Sequence, residues 1–237
     1  MLGPDRRTMT RSQADAAQID VGLREHMLRV YNYMASGVAL TGIVAMLASS
    51  SPALMNAMFG TPLQWVVMLA PLAFIMVLSF GINRLSLFSA QVLFWVFAAV
   101  MGLSLSTIFL VYTGESIARV FFITAIAFGS LSLWGYTTKR DISGWSSFLF
   151  IGLIGIIIAS LVNLFLQSSA MQFAISVIGV LVFAGLTAYD TQKIKNEYSE
   201  LHDQVTSGKL AIMGALRLYL DFINLMIMLL HLFGNRR

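Results

Sequence analysis

Two charged residues lie inside a very apolar segment, at positions where they could take part in chemistry. Arg217 and Asp221 interrupt Leu210–Phe233, which is otherwise apolar enough for a membrane helix. At helical spacing, the small and polar side chains of this segment form one stripe: Gly214, Arg217, Asp221, Asn224, Met228 and His231. A charge in mid-membrane costs at least ~2.5–3.5 kcal/mol. We therefore expect the stripe to face protein or trapped water, and the helix to be enclosed by others.

A second carboxylate, Asp190, follows the apolar run Met171–Tyr189. Polar helix formers continue after it, so Asp190 is predicted to lie within a helix near its wet end. The same face carries Thr187, Phe183, Gly179 and Ser176. Two structural interpretations stay open: Asp190 is simply solvated, or Arg217 neutralises Asp221 as an inert i,i+4 pair. Such a buried pair without another partner is expensive relative to two leucines, which favours a function.

Asp190 and Asp221 would form one coupled titrating site if the packing of their helices brought them together. Asp221 lies roughly 16 Å along its helix from Leu210, near the middle of a ~30 Å apolar core. Asp190 lies nearer one mouth, so the helices must tilt or water must enter for the two to meet. Two carboxylates in a poorly solvated site cannot both ionise freely. Ca²⁺ takes about 6–8 oxygens, and Asn224, carbonyls and water complete the shell only loosely, which favours passage over storage.

Composition assigns the chain to the integral membrane proteins. Its 237 residues are 58% hydrophobic and 11% charged, with a mean hydropathy of +0.80, whereas soluble domains carry roughly 25% charged residues. Seven runs are long enough to span a bilayer as helices: about 29–48, 62–80, 85–112, 117–137, 145–166, 171–189 and 210–233. We predict an all-α protein with a polar cytosolic tail (1–28) and a single seven-helix membrane domain (29–235). In the first span, Ala35, Gly37, Ala39 and Gly42 are expected to let neighbouring helices approach closely.

The distribution of basic residues predicts the orientation. With these spans, eleven of the 15 Lys and Arg residues lie on the side of the N-terminus, three lie on the other side, and Arg217 lies within the membrane. The positive-inside rule then places the N-terminus in the cytosol and the C-terminus outside. Because the last run contains charges, the alternative that it forms a partly inserted hairpin stays open.

Although the pI is near 9.6, the basic residues are scattered at span ends, which does not indicate nucleic-acid binding.

Several kinds of site are not indicated. The chain has no cysteine, which excludes disulfides and thiol chemistry. No His, Cys and carboxylate spacing suggests zinc, and no glycine-rich phosphate loop occurs. His26 and His231 are most simply interfacial residues. We expect no cofactor and no enzymatic activity.

Three segments resemble the Bax inhibitor-1 family, the transmembrane Bax-inhibitor-motif proteins. GLTAYDTQKIK (Gly185–Lys195) and ALRLYLDFINLM (Ala215–Met226) are similar to its two C-terminal signatures. LRVYNYMASGVALTG (Leu28–Gly42) is similar to the first helix of bacterial members. The resemblance implies six helices wrapped around a central seventh helix, in the inner membrane of a bacterium.

The family resemblance also implies a function. It is that of a pH-sensitive Ca²⁺ leak whose sensor is two neighbouring aspartates, matched here by Asp190 and Asp221. An arginine near the junction of the second and third helices can pair with the first aspartate in a closed state, and Arg84 matches it by its place in the chain. One departure is Arg217, where the signature usually has a small or uncharged residue. A permanent cation there opposes Ca²⁺.

Three functions of different class follow from these residues. The first is a proton-regulated cation leak with Ca²⁺ as the transported or weakly bound ion. The second is a non-conducting regulator that binds other membrane proteins. The third is an intramembrane aspartyl protease, which also places one aspartate after a tyrosine, as in Tyr189 and Asp190. Its second aspartate follows a Gly-x-Gly step, whereas Leu218, Tyr219 and Leu220 precede Asp221 here.

Overall fold

The computed structural model describes residues 11–198 and 203–237, with side chains from residue 21 onward. Within these ranges the chain is helical almost throughout, and its only β-type pairing is an isolated bridge between Tyr112 and Arg236. The helices are α1 (Arg11–Ser49), α2 (Pro52–Phe59), α3 (Leu63–Gly81), α4 (Leu87–Leu105), α5 (Ile108–Val111), α6 (Gly114–Thr137), α7 (Ser146–Leu166), α8 (Ser169–Glu197) and α9 (Gln204–Phe233). A 3-10 turn, Ser143–Trp145, leads into α7.

Seven segments of the described chain are long and apolar enough to cross a membrane. They are Val21–Ser49, Leu63–Gly81, Leu87–Val111, Gly114–Thr137, Ser143–Leu166, Ser169–Glu197 and Gln204–Phe233. The predicted all-α class and the seven spans are therefore confirmed. The last span is one continuous helix of 30 residues, so it does not form the hairpin that its charges had left open.

Two differences from the predicted boundaries lie at the first span and directly after it. The first helix begins at Arg11, so the described part of the polar tail continues into the first span, and residues 1–10 of that tail lie outside the described residues. Between the first two spans, α2 forms because Ser51 caps it through the Leu54 amide and Pro52 suits a first helical turn. Proline has a fixed φ and no N–H, which the first turn does not need.

Contacts at the span ends define two faces of the bundle. At one face, Lys209 donates to the Asn83 carbonyl and Gln192 donates to the Arg140 carbonyl. We call this end the basic face because most of the described basic residues lie there: Arg24, Arg29, Arg84, Lys139, Arg140, Lys193, Lys195 and Lys209. At the opposite face, the amide of Thr113 donates to the Asn235 carbonyl. The spans therefore alternate in direction.

Burial differs strongly among the spans. In the most apolar stretch of α9, 67% of the residues are buried, whereas in that of α3 only 11% are buried. α9 packs against α1, α4, α6 and α8. Its Tyr219 is fully buried and shares a 2.6 Å hydrogen bond with Thr41, which also donates to the Ala98 carbonyl at 2.8 Å. Most of α9 therefore faces protein, and the wrapping of all six other spans around it stays a prediction.

Small residues bring some helices into close contact but not others. A Cβ added at Gly135 of α6 would lie 2.4 Å from the Ala188 carbonyl oxygen of α8, so only glycine allows this approach. Gly37 of α1 packs closely on the ring of Phe94, where an added Cβ would lie 3.0 Å from a ring atom. At Gly42, however, an added Cβ would meet nothing within 4 Å. The expectation of close packing holds for Gly37 and is wrong for Gly42.

Candidate functional site

The stripe of small and polar residues on α9 faces protein, as predicted, and most of its members lie against α8. The two helices run antiparallel, and their facing residues make what we call the α8–α9 seam. Gly214 accommodates Ile194, and Gly179 of α8 accommodates Met228. Nearer the opposite face, His231 Nδ1 lies 3.0 Å from Gln172 Nε2. Small residues at both ends of the seam let the helices approach closely and enclose the polar residues between them.

The seam brings Asp190 and Asp221 together. Their carboxyl groups lie within hydrogen-bonding range of each other. Asp221 is only 5% exposed and Asp190 is half-buried. Oδ2 of Asp221 is fully buried and accepts no bond from the donor groups of the described residues. Since a carboxylate only accepts hydrogen bonds, contact between the two groups requires that one of them carries a proton. The site therefore suits one shared proton.

Arg217 does not form the ion pair with Asp221 that its spacing had suggested. Its Nη1 contacts both carboxylate oxygens of Glu197, at 2.9 and 3.1 Å. The two side chains are 31% and 35% exposed, so water screens this pair only in part. The guanidinium still acts electrostatically on both Asp190 and Asp221. Glu197 thus holds the cation beside the aspartate pair and outside it.

Arg84 makes no ion pair with either aspartate among the described residues. It is exposed in the turn between α3 and α4. The charged groups that act on Asp190 from the described residues are Arg217, Lys193, Glu197 and Asp221. Neither of the two ion pairs between described residues includes Arg84. Asn224 is half-buried one turn beyond Asp221 on α9.

A chain of hydroxyl groups lies next to the aspartate pair and was not predicted. Thr191, the residue after Asp190, lies 2.8 Å from the Ser132 hydroxyl, which in turn lies 2.7 Å from the hydroxyl of Tyr31. Ser132 and Thr191 are buried. The chain joins α8 to α6 and α1. The sequence shows a serine in α6 and a threonine in α8, each within an apolar helix. That the two residues face each other depends on how the helices pack, which the sequence alone does not give.

Two carboxylates alone make a weak cation site. Among the described residues, no group of three or more His, Cys, Asp or Glu side chains could hold a metal ion. Ca²⁺ would need backbone carbonyls and water for most of its shell. Arg217 adds a positive charge nearby, which further weakens cation binding. The geometry suits a proton shared by two groups and a cation held only briefly.

Comparison with known proteins gives consistent matches over nearly the whole chain. A family model described as "Inhibitor of apoptosis-promoting Bax1" matches residues 23–237. The inner membrane protein YbhL of Escherichia coli K12 is 50% identical over 219 residues, covering 91% of this chain and 94% of that protein. The protein RP147 of Rickettsia prowazekii is 51% identical over 218 residues, 92% of each chain. A protein of Caulobacter vibrioides is 44% identical over 241 residues, 98% of this chain and 96% of that one.

These matches agree with the seven spans and with the resemblance of the three segments. The family model covers the helices that carry the aspartate pair, and one of the bacterial relatives is an inner membrane protein by name. The matched family is in general a non-enzymatic family of membrane proteins. The chain is an integral membrane protein that belongs to the Bax inhibitor-1 family.

Proposed function

We propose that this protein is a pH-regulated cation leak of the bacterial inner membrane, with Ca²⁺ as the transported ion and Asp190 and Asp221 as its sensor. The observation that supports the proposal most directly is the contact between two carboxyl groups deep in the α8–α9 seam. Buried ionisable residues in membrane spans commonly mark ion or proton pathways, because their burial is costly without a role.

The shared proton explains how pH and Ca²⁺ act on one site. With a proton between them, the carboxyl groups hold α8 and α9 together by a hydrogen bond. Without it, two negative charges face each other in a poorly solvated site and attract a cation. Protons and Ca²⁺ therefore compete for Asp190 and Asp221. Because Asp221 is 5% exposed, ions would reach it only after the helices separate, so the proposal assigns the present conformation to a closed state.

The deciding experiment measures Ca²⁺ flux into liposomes that contain only the purified protein, as a function of pH. We expect a pH-dependent flux for the wild type and a flat profile for Asp190→Asn and Asp221→Asn. Asp141→Asn is the matched control, because Asp141 is a fully exposed loop carboxylate. If both seam variants keep the wild-type profile, the pair is structural. A wild type without flux under any condition contradicts the leak and favours a non-conducting regulator.

Arg217→Ala tests the residue that departs from the family signature. Removing the cation beside the aspartates should raise Ca²⁺ flux, because Arg217 acts on both carboxyl groups. Conduction by Arg217→Ala alone would mean that the mechanism is present but suppressed in the wild type. Unchanged flux in a folded Arg217→Ala protein contradicts a modulating role for Arg217.

Arg84 is proposed as a latch on Asp190 in a conformation other than this one. A charge-assisted contact between them would join two spans until a proton or Ca²⁺ competes for the carboxylate. Arg84→Ala should then raise the basal leak at neutral pH, and Arg119→Ala at the opposite face serves as the control. An Arg84→Ala protein that is folded and leaks like the wild type removes the latch from the mechanism.

The proposed orientation has the basic face in the cytosol. Its support is the excess of basic residues at that face over Arg119, Arg236 and Arg237 at the other. Because the chain has no cysteine, single cysteines can report sidedness. A reagent that does not cross membranes should label a cysteine after Arg237 in intact cells and should not label Ser12→Cys. The reverse pattern, or equal labelling, contradicts the orientation.

A further inference from the structure

The bundle is open to the membrane between α1 and α6. These helices do not pack along each other, unlike α1 with α4 or α6 with α8. Two adjoining depressions, of about 530 and 490 Å³, occupy the gap and share Val38 and Phe121 in their walls. We call them together the α1–α6 groove. Each volume falls within the ~300–1,000 Å³ that is common for small-molecule sites.

The groove is a recess and not a flat lipid-facing surface. Its floor is α9, through Phe222, Ile223, Met226, Ile227 and Leu230. Its walls contain three glycines, Gly42, Gly114 and Gly129, at each of which an added Cβ would meet nothing within 4 Å. The missing side chains therefore widen the groove along its length. The recess is long, apolar and accessible from the side.

One end of the groove is polar and positively charged. Arg24 lines the groove at the basic face and is exposed. The hydroxyls of Tyr31 on α1 and Ser132 on α6 line the same depression, 2.7 Å from each other. Lys195 lies directly behind Tyr136, whose carbonyl accepts a 2.7 Å hydrogen bond from Nζ and whose ring is 5.3 Å from it. Neither of the two ion pairs between described residues includes Arg24.

We propose that the α1–α6 groove binds one anionic phospholipid. The phosphate of its headgroup lies at Arg24 and the Tyr31 hydroxyl, and an acyl chain lies between α1 and α6 over the apolar floor formed by α9. The charge of the polar end identifies the headgroup, because basic pockets between membrane helices select anionic lipids over neutral ones. The apolar length and the lateral opening identify the occupant as a lipid, which enters from the bilayer. The proposal does not depend on ion conduction.

Native mass spectrometry of the full-length protein in detergent tests the proposal. The protein is titrated with phosphatidylglycerol and with phosphatidylcholine of the same acyl chains. The wild type should retain phosphatidylglycerol with an affinity about fivefold higher, the size expected for one arginine near a membrane surface. Arg24→Gln should reduce this preference to near parity, because it weakens retention of phosphatidylglycerol more than that of phosphatidylcholine, whose headgroup has no net charge.

Two glycine variants separate the groove from general lipid adhesion. Gly129→Phe should fill the groove and weaken retention of both lipids, since nothing blocks a side chain there. Gly155→Phe is the matched control, because Gly155 is an equally unobstructed and exposed glycine on α7. Equal retention of the two lipids by the wild type contradicts the charged end. Retention by Gly129→Phe equal to that by Gly155→Phe contradicts the groove as the site. Because Arg24 is exposed, Arg24→Gln tests the charged end without disturbing the packed core.

Discussion

The α8–α9 seam and the α1–α6 groove both border α9, and both are rich in small residues. In the seam, Gly179 and Gly214 are each filled by a side chain from the facing helix. In the groove, Gly42, Gly114 and Gly129 face open space. The same residue type therefore closes one interface and widens the other. What differs is whether a complementary large side chain, such as Met228 or Ile194, stands opposite the glycine.

This difference separates two physical environments within one bundle. The seam excludes water and lipid, so carboxyl groups there interact strongly with each other. The groove admits the surrounding membrane, and its lining is apolar with one polar end. A site that senses protons needs the first environment, and a site that selects a lipid needs the second. Four variants, three of them with a matched control, test how far the contrast holds.

The largest expected effect is on the close contact that fixes α6 on α8. Gly135→Ala places a Cβ 2.4 Å from a backbone oxygen of Ala188, so the helices must separate. We expect a loss of ~1–3 kcal/mol in the free energy of unfolding, as is typical for overpacking. Gly129→Ala, on the same helix but in the groove, should change it by less than ~0.5 kcal/mol. Thermal unfolding in detergent measures both, and equal shifts would contradict the contrast between the two regions.

The second effect concerns the cation beside the seam. Glu197→Gln removes the partner of Arg217 and frees its guanidinium to move towards Asp190 and Asp221. Hydrogen bonds to charged groups contribute ~1.5–3 kcal/mol. If Arg217 makes such bonds to the aspartates in place of Glu197, cation binding there weakens by a similar energy. We therefore expect Ca²⁺ flux to fall roughly tenfold or more. Glu115→Gln is the matched control, since Glu115 forms an exposed ion pair with Arg119 at 2.9 Å. Flux that is equal in both variants would show that Glu197 does not position Arg217.

The sequence predicted the seam better than it predicted the groove. Apolar length and helical periodicity are local properties, so they located seven spans and the buried stripe of α9 correctly. The pairing of Asp190 with Asp221 was an implication of the family resemblance and not of these local properties. The partner of Arg217 was missed because Glu197 lies 20 residues away, across the turn between α8 and α9. Because Asp221 lies only four residues after Arg217, the sequence favoured Asp221 as its ion-pair partner.

The groove could not be predicted because it depends on which helices fail to touch. A small residue such as Gly42 has the same local signature in a tight interface and in an open one. Only the packing of the whole bundle decides whether a neighbour fills it. Arg24 illustrates the same limit, since its position at a span end indicated topology and not the polar end of a groove.

A smaller effect is expected for the hydroxyl that bridges the groove. Tyr31→Phe removes the 2.7 Å hydrogen bond to Ser132, and Tyr33→Phe removes a 2.7 Å bond to Gln91 in the packed interface of α1 with α4. A typical hydrogen bond contributes ~0.5–1.5 kcal/mol to stability. Tyr31→Phe should cost the lower part of this range, because water or a headgroup reaches Ser132 from the groove. A larger loss for Tyr31→Phe than for Tyr33→Phe in thermal unfolding would mean that the groove is closed.

The smallest expected effect lies at the wet start of α9, outside both regions. Asp203 caps this helix by accepting a bond from the Thr206 amide at 3.2 Å. The hydrogen bonds from Thr206 hold the pKa of Asp203 below its ordinary value of 3.8. A carboxylate with a lowered pKa stabilises the fold fully above the ordinary value, and this contribution is lost as pH falls through the lowered one.

Asp203→Asn isolates this contribution, because asparagine caps a helix but does not titrate. At pH 7 the melting temperatures of the two proteins should be close. As the pH falls below about 5, towards and past the ordinary aspartate value, the wild type should lose stability relative to Asp203→Asn. A difference that stays constant across this range would mean that the cap carries no charge-dependent part. Since Asp203 is fully exposed, the change in melting temperature should be smaller than that caused by any substitution within the seam. The stability that α9 provides then depends mainly on its buried residues.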